Sequence, residues 1–242
     1  MASMRTRASA RSRFVMLSLV IVALLVAGSA TLLRGKASPG LLSTAAAERP
    51  KPGTVLAVPA ALADGGLGLR AGPVAVPLQL RIPTLSVNAA VVGVGITPTN
   101  VMDAPMGPAQ DPVWQQAFWY RGSAVPGALS TALIAGHIDD PRGRPAVFAH
   151  IDRLRPGDLI VVHDTRSGLD VRFSVTDSKT YSLAQASDPT VLAQIYGAGP
   201  VAGAWPQPSA DGLSHLTLIT CAGTFRNGTH DHRLVVYATR VA

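Results

Sequence analysis

The chain has 242 residues, 48% hydrophobic and 14% charged, which excludes a disordered polypeptide and allows one large domain or two small ones. The net charge of +7 is confined to residues 1–76, where nine Arg/Lys face two acids; residues 77–242 carry twelve of each sign and so have no net field to attract phosphates, which argues against nucleic acid as a partner. The single cysteine, Cys221, excludes an intramolecular disulfide and any multi-cysteine zinc or iron–sulfur site.

Residues 1–13 hold Arg5, Arg7, Arg11 and Arg13 and no acid. Residues 14–33 run for twenty positions without a charge, enough at about 1.5 Å per residue to cross a hydrocarbon core of about 30 Å. They predict an uncleaved transmembrane anchor, because the apolar core of a cleaved signal peptide is shorter; Gly28-Ser29-Ala30 and Ala45-Ala46-Ala47 keep cleavage open as the alternative. The four arginines predict a cytoplasmic N-terminus and an extracellular remainder. Residues 34–76, with Pro39, Pro50, Pro52, Pro59 and Pro73 and no sustained period, read as an extended Pro/Gly/Ala-rich linker. The glycines of 65–72 follow no predicted strand and open no helix, so they do not read as a nucleotide loop.

From residue 77 to 242 the texture is that of a β domain. Short alternating or β-branched runs predict strands over 79–82, 89–96, 130–137, 159–164, 171–180, 215–221 and 233–240. Helices are predicted over 146–154 and over 189–196, the second capped by Asp188. Asp111-Pro112-Val113-Trp114 reads as a surface loop. Seven strands with few helices point to a barrel or a sandwich.

Three side-chain types in this domain point to acyl transfer. Cys221 ends the apolar run 215–221, and an idle thiol in an exported chain is an oxidation liability, so it is a candidate nucleophile. Residues 222–232 read as a loop; if the flanking strands pair as a hairpin, Arg233 lies beside Cys221, where a guanidinium stabilises an oxyanion. A thiol also needs a proton carrier, and of six histidines His137, closing the strand 130–137, is the best placed. His230-Asp231-His232 offers two imidazoles without a third ligand, and no Glu lies in 77–242, so neither a metal nor calcium nor any other cofactor is expected.

Thr217-Leu218-Ile219-Thr220-Cys221 resembles the TLxTC signature of sortases, the membrane-anchored cysteine transpeptidases of Gram-positive bacteria. Leu133-Ile134-Ala135-Gly136-His137 resembles the strand that ends in the family's histidine, and Arg233 in RLVVYATR resembles its arginine. Residues 148–158, with Pro156-Gly157-Asp158, are similar to the family's short helix and Gly-Asp turn. The Ala/Arg-rich composition is most similar to actinobacterial classes E and F. The resemblance covers about residues 78–242. It implies a closed eight-stranded β-barrel with the site at one end. It implies that Cys221 attacks the Thr–Gly bond of an LPxTG-like sorting signal to form a thioester. His137 then serves as acid and base, Arg233 binds the substrate backbone and the oxyanion, and Thr220 assists substrate binding. The acceptor would be an amine of a cell-wall precursor or a pilin. Asp139 and Asp140 are candidates to orient His137, although solvated loop acids are the simpler reading.

Two rivals have distinguishing features. L,D-transpeptidases carry Ser-x-Gly-Cys, whereas Thr220 precedes Cys221 here. A non-catalytic surface receptor on the same barrel would have no need of Cys221, His137 and Arg233 together.

Overall fold

Along Val74–Ile82 the side chains of Leu78, Leu80 and Ile82 are buried while Gln79 and Arg81 between them are not. That alternation assigns one face of a strand to a core, because successive side chains point to opposite faces. The computed structural model, which describes residues 68–98, 101–200 and 205–242, repeats the pattern around a closed barrel. The basic tail, the anchor and all but the last residues of the linker expected above lie outside the described residues. Among the described residues no helix is long and apolar enough to cross a membrane.

Eight strands close the barrel: β1 (Val74–Ile82), β2 (Val87–Val94), β3 (Ala117–Tyr120), β4 (Thr131–Gly136), β5 (Leu159–Asp164), β6 (Asp170–Ser182), β7 (His215–Arg226) and β8 (Thr229–Arg240). Their order around the barrel is β1-β2-β3-β4-β7-β8-β6-β5. Closure leaves no unpaired sheet edge. Two pairings are parallel, β2 with β3 and β4 with β7, and the others are antiparallel. The interior is filled by side chains such as Leu80, Ile134, Phe148, Ile160, Phe173 and Leu218. Each fully buried side chain of this size contributes about 1.5–3 kcal/mol.

A second apolar layer lies outside the barrel wall. Leu133 of β4 and Val235 of β8 pack there with Ile195 of α2 (Pro189–Tyr196). Helix α2 starts where the sequence predicts: Asp188 accepts from the N–H groups of Thr190 and Val191, and Pro189 occupies the first turn. A one-turn helix α1 (Leu183–Ala186) precedes it, closed by a capping box between Ser182 and Gln185.

Among the strands and helices, four departures from the sequence-based expectation bear on the fold. Strand β3 was not expected: its four residues are too few to show a period, and Ala117, Phe118 and Trp119 are all buried. The predicted helix 146–154 is a set of turns ending in a single 3₁₀ turn, Ile151–Arg153. There the N–H groups of Val147 and Phe148 donate to the carbonyls of Trp114 and His137, so tertiary hydrogen bonds replace the helical ladder. Strand β1 begins at Val74, five residues before Gln79. Finally, 222–232 is not a loop. β7 continues to Arg226 and turns at Asn227-Gly228, both with positive φ (52° and 82°), as a two-residue hairpin turn of the primed type requires.

Candidate active site

Residue parity decides which way each candidate faces. On β7 the side chains of Leu216 and Leu218 fill the barrel, and on β8 those of Leu234, Val236 and Ala238 do the same. Ile219, Val235 and Tyr237 belong to the outer layer. Cys221 and Arg233 share the parity of that outer set. They are directly opposite each other across the β7–β8 pair, a position in which Cβ atoms stand about 4.5–5.5 Å apart. On the other side of β7, β4 runs parallel with Ala135 opposite Ile219. Carrying that register on by two residues brings His137 level with Cys221. Extended in this way, the register sets the thiol, the imidazole and the guanidinium in one row, with Cys221 and Arg233 paired on β7 and β8 and His137 just past the end of β4. The row lies on the outer wall of the barrel, toward the end where β4 stops, and not in the barrel mouth, because odd-numbered positions of β7 and β8 face outward.

A bulge shapes the hairpin just past the cysteine. The pairing shifts between Ala222 and Phe225, with Gly223 at φ 79°. A Cβ on Gly223 would sit 2.1 Å from Asp231 Oδ1, so only glycine allows this approach. The bulge lets Asp231 accept from the Thr224 N–H at 2.8 Å and from His232 Nδ1 at 2.7 Å.

Burial pushes the Cys221 thiol above its ordinary range; the Arg233 charge opposes the rise, and the Asp139 carboxylate adds to it. A cysteine with an ordinary pKa of about 8.5 is already mostly protonated at neutral pH, and this one is more so. Arg233 is held by its own hairpin. Its Nη1 donates to the carbonyls of His232 (2.8 Å) and His230 (3.1 Å), while Nε–H and Nη2 have no hydrogen-bond partner among the described residues.

His137 is fixed by groups the sequence reading missed. Its Nε2 lies 2.9 Å from the carbonyl oxygen of Pro105. A carbonyl only accepts, so Nε2 carries the proton and Nδ1 is left to exchange one. The imidazole packs against Trp114, with centroids 4.6 Å apart, and edge-on against Phe118 at 5.2 Å. Trp114 is buried, and its Nε1–H donates to Pro108 O. Asp111-Pro112-Val113-Trp114 is thus a wall of the histidine pocket and not a surface loop. The sequence did carry a signal: an Asp N-cap followed by Pro starts the 3₁₀ turn Pro112–Gln115, with Asp111 Oδ1 accepting from Val113 N at 2.9 Å. The turn buries Trp114.

Thr220, expected at the substrate, faces into the barrel. Its hydroxyl donates to Gly136 O at 2.8 Å and so pins the residue that precedes His137. Gly136 has no room for a side chain, since a Cβ there would meet Phe148 Cδ2 at 2.5 Å. Neither aspartate of the following loop bonds to His137 among the described residues. Asp140 accepts from the backbone N–H groups of Arg142 and Arg144 and from Arg144 Nε at 2.7 Å, which holds its carboxyl down at about 2. Asp139 Oδ1 instead lies 3.5 Å from His230 Nε2, linking the His137 loop to the β7–β8 hairpin.

A thiol, an imidazole and a guanidinium brought together are side-chain types that acyl transfer through sulfur can use. A sortase-domain family model matches residues 80–241. Solved structures with a similar fold include a lid mutant of sortase A from Corynebacterium diphtheriae, 20% identical over 72% of this chain and 73% of that one, with a TM-score of 0.47. Sortase C-1 from Actinomyces oris is 18% identical over 68% and 73%, at 0.45. The pilus-related sortase C of Group B Streptococcus is 17% identical over 68% and 66%, at 0.44. No curated protein matches the chain by sequence.

Proposed function

The chain belongs to the sortase family of cysteine transpeptidases, and from that premise we propose that it cleaves an LPxTG-like sorting signal and passes the surface protein to an amine. The observation that carries this reading is the row formed by Cys221, Arg233 and His137, set by the β7–β8 and β4–β7 registers. The Cys221 thiol passes its proton to Nδ1 of His137 as its sulfur attacks the Thr carbonyl carbon of the signal. Negative charge develops on the carbonyl oxygen, where the uncommitted Nε–H and Nη2 donors of Arg233 stabilise it. The C–N bond to Gly breaks as His137 delivers a proton to the departing amine, leaving a thioester on Cys221. An amine from a cell-wall precursor or a pilin then attacks the thioester and gives its proton to His137, and the C–S bond breaks as His137 returns that proton to the departing Cys221 sulfur. Residues 14–33 hold the enzyme in the cell membrane with its catalytic domain outside. Incubation with an LPxTG-type peptide is expected to add the mass of the N-terminal fragment to Cys221, and addition of an oligoglycine amine to remove it as a ligated product. A protein that cleaves the peptide without that adduct in rapidly quenched samples refutes the thioester.

Arg233→Ala is expected to lower kcat/KM by about 10²–10³, the effect of losing one oxyanion donor. The alkylation of Cys221 by iodoacetamide tests the state of the thiol. With the thiol raised, its thiolate fraction grows about tenfold per pH unit from neutral pH to about pH 8.5, and the alkylation rate climbs with it. Arg233→Ala removes the charge that lowers the thiol and slows alkylation at every pH in that range. A plateau in the wild-type rate below pH 8 means a preformed thiolate and contradicts the burial effect.

A further inference from the structure

The barrel end remote from Cys221 carries its own surface. Thr131 of β4 pairs there with His215 of β7, and Thr239 near the end of β8 pairs with the same residue. Cys221 lies about 20 Å further along β7 at roughly 3.3 Å per residue. At this end Leu129, Leu169, Leu213 and Val241 are 41–59% exposed. Arg166, Arg172 and Arg240 stand among them and form no ion pair among the described residues. Three aspartates lie nearby, each held in hydrogen bonds or against an imidazole. Asp164 accepts from the Arg166 N–H and the Ser167 hydroxyl, Asp170 lies 2.7 Å from His163 Nδ1, and Asp211 lies 3.0 Å from His215 Nε2. Arg172 and Arg240 also line an open cavity of about 590 Å³ together with Asp170 and Ser214, whose buried hydroxyl has no hydrogen-bond partner among the described residues.

The chain enters the barrel at this same end. Leu69 O accepts from Ile96 N at 2.8 Å, and the Arg121 guanidinium donates to the carbonyls of Gly68, Ala71 and Gly72. The 67 residues before Gly68, with the charge-free run 14–33, are therefore joined to the barrel here.

We propose that this end of the barrel docks on an anionic lipid surface. Leu129, Leu169, Leu213 and Val241 enter the headgroup region, and Arg166, Arg172 and Arg240 meet lipid phosphates. The inference rests on reading residues 14–33 as a membrane anchor. Apolar tips ringed by arginine favour the interface over water, and each such arginine raises the docked population about fivefold. Docking holds the row of Cys221, Arg233 and His137 clear of the headgroups, on the wall that a substrate approaches from the outside.

The test uses the full chain with Cys221→Ser, reconstituted in phosphatidylcholine–phosphatidylglycerol vesicles, with one new cysteine at Leu213→Cys or Thr224→Cys carrying a fluorophore. Spin-labelled lipid is expected to quench the 213 probe about twofold or more and to leave the 224 probe, on the hairpin beyond Cys221, unquenched. Adding Arg172→Gln and Arg240→Gln to the 213 protein reduces the quenching; the same pair in the wild-type chain leaves cleavage of a soluble peptide unchanged, which shows that the barrel is folded. Equal quenching of both probes, or of neither while the protein floats with the vesicles, overturns the docking and leaves the anchor standing. Self-quenching between the 213 probes of neighbouring chains, in place of quenching by lipid, assigns this face to a second copy and overturns it too. A chain that does not float with the vesicles removes the anchor and the docking together.

Discussion

Cys221→Ala is expected to lower cleavage of an LPxTG-type peptide by at least about 10⁴-fold while shifting the melting temperature by no more than about 3 °C. The two effects separate because the thiol has one role in chemistry and a small one in packing. Cys221 is half-buried on the outer wall, beside the barrel core and not within it. Losing one sulfur at such a site costs about 1 kcal/mol or less. The chemical loss is expected to be large because no other residue carries a thiol: this is the only cysteine in the sequence. Undiminished turnover by a folded Cys221→Ala protein removes the covalent route altogether.

His137→Ala is expected to reduce the rate by about 10²–10⁴, the usual range for a proton carrier. The effect should depend on the leaving group. An amide leaves as an amine that must be protonated, whereas an activated ester leaves as a stable anion. The loss is therefore expected to shrink by at least about tenfold when the peptide bond is replaced by an activated ester. An equal loss on both substrates contradicts the role of proton donor. The imidazole also packs against Trp114 and Phe118, so truncation opens a gap beside the site. His137→Gln, which retains a polar group against Pro105 O, controls for that gap and is expected to show the same dependence on leaving group.

Local chemistry accounts for what could be read in one dimension. The Asp188 cap and Pro189 place α2 to the residue, because capping is settled within four positions of the chain. The limits of β5 were legible for a similar reason: its apolar run is bounded by Gly157-Asp158 and by the turn after Asp164. The TLxTC-like run, the Ala-Gly-His ending and Arg233 were each visible as short patterns. Residues 222–232 read as a loop because Gly223, Asn227 and Gly228 interrupt the apolar period, whereas Gly223 is the pivot of a bulge and Asn227-Gly228 the turn of a continuous hairpin.

Contacts between distant segments decided the rest. Nothing local in Ala117–Tyr120 says strand; it becomes β3 because β2 and β4 flank it and bury it. Residues 146–154 lose their helix because Trp114 and His137 claim their N–H groups. The pocket around His137 needs Pro105, Trp114 and Phe118 from a stretch 19 to 32 residues earlier in the chain. The composition of the domain therefore determined a β fold and supplied the reactive groups, since hydrophobic period and side-chain chemistry are properties of neighbours in sequence. The parallel register between β4 and β7 decided that an imidazole stands level with a sulfur 84 residues away, because strand pairing is a property of the closed barrel as a whole.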